Sequence, residues 1–221
     1  MPHSNKYARS NHEKVEALDN AAAQPDRTQL HSLAKEAAGL EDIAAVKYAI
    51  SLGAQPSEMI IPALSLDKPD ILACLLDAGL EINYRIPGYT GSPLTGASAF
   101  AKTELVKTLL ARGADPNLEN CGWGRYHLRP PAAAAQGWMK DEEAAETIRV
   151  LLDGGARWEG SAALQLAAGR GRVECVKVLV GAGADVNEIV GRVEEKSALR
   201  LAEEKGCEEV VRILKARGAK E

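Results

Sequence analysis

The segment Arg125-Tyr126-His127-Leu128-Arg129 is the part of this chain best furnished for chemistry. A phenol beside an imidazole can pass a proton, and the flanking guanidiniums are donors that can hold an anionic group. Trp123, Trp138 and Trp158 could wall such a place against water, leaving Tyr126 and His127 as acid and base on an apolar substrate. Every other catalytic signature is missing. The sequence contains no Gly-x-x-x-x-Gly-Lys phosphate loop, no Gly-x-Ser-x-Gly elbow and no His-Glu-x-x-His zinc motif. Gly181-Ala182-Gly183 begins like a dinucleotide fingerprint but closes an apolar run, where the fingerprint opens a helix after a strand. The acid pairs Glu142-Glu143, Glu194-Glu195, Glu203-Glu204 and Glu208-Glu209 are of the kind found at helix N-termini or on solvated faces. His3, His12, His31 and His127 are not at metal-ligand spacing, and Cys74, Cys121, Cys175 and Cys207 form no Cys-x-x-Cys pair. The expectation is free thiols, no metal, no cofactor and no enzymatic role.

Composition narrows the partners. The net charge is -4 and the basic residues are dispersed among acids, which argues against nucleic acid. No apolar run approaches the ~20 residues that span a bilayer, and the N-terminus lacks a signal-peptide core. A soluble, cytoplasmic protein is expected, with a nuclear location compatible and secretion not. With one Phe, three Trp and five Tyr, the interior must be built from Leu, Ala, Val and Ile.

The elements that carry these residues are set by a repeat. Six times a short apolar stretch ends in Gly followed by Ala or Leu: Gly53-Ala54, Gly79-Leu80, Gly113-Ala114, Gly155-Ala156, Gly183-Ala184 and Gly218-Ala219. A helix that must stop in a left-handed residue favours glycine there. Upstream, Ala162-Ala163-Leu164-Gln165-Leu166-Ala167-Ala168-Gly169-Arg170-Gly171-Arg172-Val173-Glu174 is similar to the ankyrin consensus Thr-Pro-Leu-His-x-Ala-Ala-x-x-Gly-His-x-Glu, and Ser92-Pro93-Leu94 and Ser197-Ala198-Leu199 resemble its start. From motif residue to the one after the Gly the step is 20 for Leu94, Leu164, Leu199 and Ile60. Repeat 1, read from Leu30, and repeat 4, read from Ala132, need four residues more.

The resemblance implies an all-α ankyrin-repeat solenoid of about six helix-turn-helix repeats with projecting finger loops or β-hairpins. Residues 1–25 read as a polar tail with a capping helix over 13–23. Residues 26–221 read as one ankyrin-repeat domain, with repeats at about 26–55, 56–90, 91–127, 128–159, 160–195 and 196–221. Spacings between successive glycine stops are 26, 34, 42, 28 and 35 residues. The long finger 115–130 therefore stands beside the short loop 157–160, and a notch between them is expected.

Registering the repeats on the motif residue places Leu66, Phe100, Trp138, Arg170 and Lys205 at one position near the inner-helix end, which in this family faces the concave groove. Tyr84, Tyr89, Trp123, Tyr126 and Trp158 fall in fingers. Aromatics give large contact area at low entropic cost. The resemblance thus implies a monomeric adaptor that binds a protein or peptide partner through Leu66, Tyr84, Tyr89, Phe100, Trp123, Tyr126, Trp138 and Trp158. Arg125, His127, Arg129 and Arg170 would orient an acidic or phosphorylated partner. The other reading is a small-molecule or catalytic pocket in the notch, with Tyr126 and His127 as its working groups.

Overall fold

The computed structural model describes residues 11–23, 28–65, 67–86, 91–121, 127–190 and 195–220. They fall into two compact units, Met1–Glu81 and Ile82–Glu221. In the first unit, α1 (Asn11–Ala22), α2 (Thr28–Gly39) and α3 (Ile43–Ser51) pack on one another. A 3-10 turn (Pro56–Met59) leads into α4 (Ile60–Ser65), which pairs with α5 (Pro69–Asp77). Pro62 sits in the first turn of α4, where no helical N–H is needed. Asp42 caps α3 by accepting the Ala45 N–H at 3.0 Å and pairs with Lys14 of α1 at 2.6 Å, and Tyr48 donates to Asp19 of α1 at 2.7 Å.

The second unit is two rows of helices. Inner helices α6 (Pro93–Ala99), α8 (Pro130–Gln136), α10 (Ala163–Gly169) and α12 (Ala198–Glu204) pack in sequence along one row. Outer helices α7 (Thr103–Ala111), α9 (Asp141–Asp153), α11 (Val173–Gly181) and α13 (Glu208–Ala216) pack along the other. This is the expected all-α solenoid arrangement. Between α7 and α8 the finger carries a short antiparallel pair, β1 (Asn120–Cys121) and β2 (His127–Leu128), with Cys121 opposite His127.

The outer helices turn apolar residues at i, i+3 and i+4 toward the inner row: Leu105, Val106 and Leu109 in α7, Ala144, Ala145, Ile148 and Leu151 in α9. Truncating a fully buried leucine such as Leu109 to alanine should cost ~2–5 kcal/mol. At all six glycine stops the following N–H bonds the carbonyl five residues back at 2.9–3.0 Å, from Ala54 to Ala49 through Ala219 to Leu214. This bond satisfies a carbonyl the helix leaves open. Cys207 lies at the N-cap of α13.

Repeat 4 departs from its expected register. Its inner helix starts at Pro130, so Pro131, not Ala132, stands where Leu94 does, and Gly137 takes the C-cap position that Phe100, Arg170 and Lys205 hold elsewhere. The physical reason is a close approach: a Cβ on Gly137 would lie 2.2 Å from the Ala99 carbonyl oxygen. The extra residues of this repeat go into α9, which has 13 residues where α7, α11 and α13 have 9, and into a turn one residue longer. Trp138 is therefore one step past the position assigned to it, on the lengthened turn.

Candidate functional site

Inner helices α6, α8 and α10 bury every residue but the last. Solvent meets this row at the turns leading to the outer helices, where Phe100, Trp138, Arg170 and Lys205 lie. Phe100 is half-buried at the end of α6, and Arg170 and Lys205 are exposed at the ends of α10 and α12. Trp138 is 74% exposed and Met139 beside it 36%.

The exposed indole is held. The Arg170 guanidinium carbon lies 4.7 Å from the Trp138 ring centroid, a cation–π contact worth ~0.5–1 kcal/mol at an open surface. Beneath it Arg172, 8% exposed, donates from Nη2 to the Gly137 carbonyl and ties the Trp138 turn to the start of α11. Arg172 Nη1 is buried without a hydrogen-bond partner among the described residues. Burial, and then the neighbouring Arg172, lower the pKa of Arg170.

The same corner is closed by Asp141, whose carboxylate accepts the Glu174 N–H at 2.7 Å and the Cys175 N–H at 3.2 Å, capping α11 from the preceding repeat. Burial, reinforced by a hydrogen bond to Asp141, pushes the Cys175 thiol up to about 12. Such a thiol is not a nucleophile near neutral pH. Cys74 is likewise raised, chiefly by burial.

The fingers are laced to one another by asparagines that the sequence reading missed. Asn117 accepts the Arg157 N–H at 2.7 Å and donates to the Gly155 carbonyl at 3.0 Å. Asn187 repeats the pattern with Lys220 N–H and Gly218 carbonyl, and Asn83 accepts the Asp115 N–H. Their signal was present as Asn at the fourth residue after the Gly stop. The fourth repeat has Glu159 there, and Arg129 substitutes for the missing amide. It donates to the Glu159 carbonyl and pairs with Glu119, both at 3.0 Å. Arg129, expected to hold a partner's anion, thus braces the long finger against the short one.

Trp158 is half-buried, with its ring 4.0 Å from where a Cβ of Gly183 would stand, and its carbonyl accepts the Ser161 hydroxyl at 2.6 Å. Tyr84 is half-buried in its finger. Leu66, Tyr89, Trp123, Arg125 and Tyr126 lie outside the described residues, and of His127 only the backbone pairing in β2 is described. The structure therefore brings Trp138 and Arg170 together, places Phe100 in the same row of turns, and puts Trp158 and Arg129 in the finger row. Among the described residues no group of three or more His, Cys, Asp or Glu is placed to hold a metal ion. No helix among them is long and apolar enough to cross a membrane.

Residues 132–221 match the family model for ankyrin repeats, in three copies. The E3 ubiquitin-protein ligase KEG of Arabidopsis thaliana is 33% identical over 113 residues, a stretch that makes up 46% of this chain but 6% of the ligase. This chain therefore corresponds to a small part of that relative's length. Ankyrin repeats generally mediate protein–protein interaction and are typically non-catalytic. Paired short helices closed by glycine stops, two stacked helix rows and the family match over residues 132–221 together support an ankyrin-repeat protein.

Proposed function

We propose that the protein is a non-enzymatic, monomeric adaptor that binds a partner protein or peptide at the exposed turns and fingers of its central repeats. The observation that carries this reading is Trp138, a large indole 74% exposed and held in place by Arg170. An exposed aromatic costs solvation and gives nothing to the core, whereas tryptophan and arginine are the side chains most often dominant in binding energy. Phe100 extends the same surface by one repeat, and Trp158 and Tyr84 offer contact area among the fingers. Buried, weakly acidic thiols suit a reducing cytoplasmic or nuclear setting.

Affinity isolation from native lysate tests the reading. Wild type is compared with Trp138→Ala, a change at a largely exposed side chain, after circular dichroism confirms equal helix content. A protein recovered with wild type and depleted at least tenfold with the variant supports the adaptor. Identical recoveries would refute this surface as the binding site. Ubiquitin transfer, named for the relative, is not carried over, because the aligned stretch is so small a part of it.

A further inference from the structure

The four inner-to-outer turns of the second unit are Phe100-Ala101-Lys102, Gly137-Trp138-Met139-Lys140, Arg170-Gly171-Arg172 and Lys205-Gly206-Cys207. Each carries a cation, and none contains Asp or Glu. Several cations on the outer helices of this unit are neutralised in place. Lys107 pairs with Glu104, Arg149 with Glu146, Lys177 with Glu174, Arg212 with Glu209 and Lys215 with Glu203. Among the described residues, Lys102, Lys140, Arg170 and Lys205 have no carboxylate partner. Asp141, next in the chain to Lys140, has its carboxylate committed to two N–H groups of α11.

Resting on the adaptor reading, we infer that this row of turns is the docking strip for an acidic, extended segment of the partner, with carboxylates at every third residue and an apolar side chain against Trp138. Charge complementarity selects the acid. The spacing selects the conformation. Packed helices lie ~8–10 Å apart, so successive turns along α6, α8, α10 and α12 stand at about that interval, with Lys102 and Lys140 at the outer-helix starts and Arg170 and Lys205 at the inner-helix ends. A polyproline II segment has three residues per turn and rises ~3.1 Å per residue, so residues i and i+3 share a face ~9.3 Å apart. A β-strand would turn residues i and i+3 to opposite faces. Arg170 serves both parts of the ligand, stacking on Trp138 while offering its N–H groups to a carboxylate. Single-stranded nucleic acid fits less well, because it carries a charge at every nucleotide and would bring more of them against exposed Glu142, Glu143 and Glu208 at the outer-helix starts than a segment acidic only at every third residue.

The probe is a fluorescein-labelled, proline-rich peptide with glutamate at every third position and one central leucine, titrated with the full chain by fluorescence anisotropy. Controls carry glutamine for glutamate, or the same residues with the glutamates clustered. The expected result is binding at least tenfold tighter than either control, weakened by added salt and weakened at least tenfold by Arg170→Glu or Lys140→Glu. Both substitutions are on exposed side chains, and Lys107→Glu on the outer face should leave the affinity unchanged. Equal binding of the glutamine peptide, no binding of any peptide, insensitivity to both charge reversals, or tighter binding of an oligothymidylate would each overturn the proposal. Should the probe fail while Trp138→Ala still depletes the native partner, the strip falls and the adaptor reading stands. Should the probe bind while recoveries from lysate are identical, the adaptor reading is the one that falls.

Discussion

Placing a methyl group on Gly137 tests the account of repeat 4, because there the backbone of one repeat touches that of its neighbour. The new Cβ would stand 2.2 Å from the Ala99 carbonyl oxygen and 3.1 Å from its carbon. Nonbonded heavy atoms settle near 3.5 Å, so α6 and the α8 turn must part by roughly 1 Å. Both atoms belong to main chain in a packed row, and no flexible side chain can yield. Overpacking costs ~1–3 kcal/mol, and displacing the Gly137 carbonyl from Arg172 puts a buried charged hydrogen bond at risk for ~1–3 kcal/mol more. Gly137→Ala should therefore lose ~3 kcal/mol in urea unfolding. Gly137 has φ -54, which alanine adopts freely, so none of this is backbone strain. Gly155→Ala isolates the strain instead, since nothing lies within 4 Å of its Cβ but φ is +89, and it should cost ~1–2 kcal/mol. Gly39→Ala, with open space and no positive φ, should be neutral or slightly stabilising. A Gly137→Ala protein within about 0.5 kcal/mol of wild type would refute the close-approach argument.

Three further outcomes follow from the same geometry. Ala101 holds φ +49 where the fifth and sixth repeats use Gly171 and Gly206, so Ala101→Gly should stabilise by ~0.5–1 kcal/mol, read by urea unfolding. In native protein at pH 8, iodoacetamide followed by mass spectrometry should modify half-buried Cys207 well before Cys74 or Cys175, whose thiols are buried and raised, and equal rates would contradict the packing described. The Lys14 hydrogen bond, and then the Ala45 N–H, lower the Asp42 pKa below its ordinary 3.8. A depressed folded pKa means the stabilisation is complete above about 3.8 and is lost as pH falls through the lower folded value. Amide exchange in α1 and α3 should accordingly quicken below that pH, and Asp42→Asn, which keeps the cap acceptor, should remove this part of the acid dependence.

Helix stops were legible because they rest on a single-residue requirement. A left-handed terminus favours glycine, and its recurrence marks the repeats before any packing is known. The inner-helix ends at Phe100, Arg170 and Lys205 were legible from the motif leucines, each of which stands six residues before them. The fourth repeat was misregistered because Ala132–Ala135 gives no landmark, and the landmark that matters, the approach of Gly137 to Ala99, is between repeats. Asn117 and Asn187 stand at a repeated spacing from the glycine stops, but the bonds that give the spacing meaning reach into the next finger. Arg129 carried the charge expected of a partner contact, but its use is decided by Glu119 and the Glu159 carbonyl. The unneutralised turns could not be read from spacing either, since Lys107 has Glu104 and Lys140 has Glu143 three residues away, and only the first of these pairs closes.

Hydroxyl-radical footprinting of the chain alone and in the complex recovered from native lysate tests the central claim most directly. Trp138 and Met139 are the adjacent exposed apolar pair on the turn row, and both are readily oxidised. The account predicts that the partner strongly reduces oxidation of both residues while exposed Ile61 on α4 and Ile189 in the last finger are unchanged. Full oxidation of Trp138 and Met139 in the complex, with protection elsewhere, would contradict it.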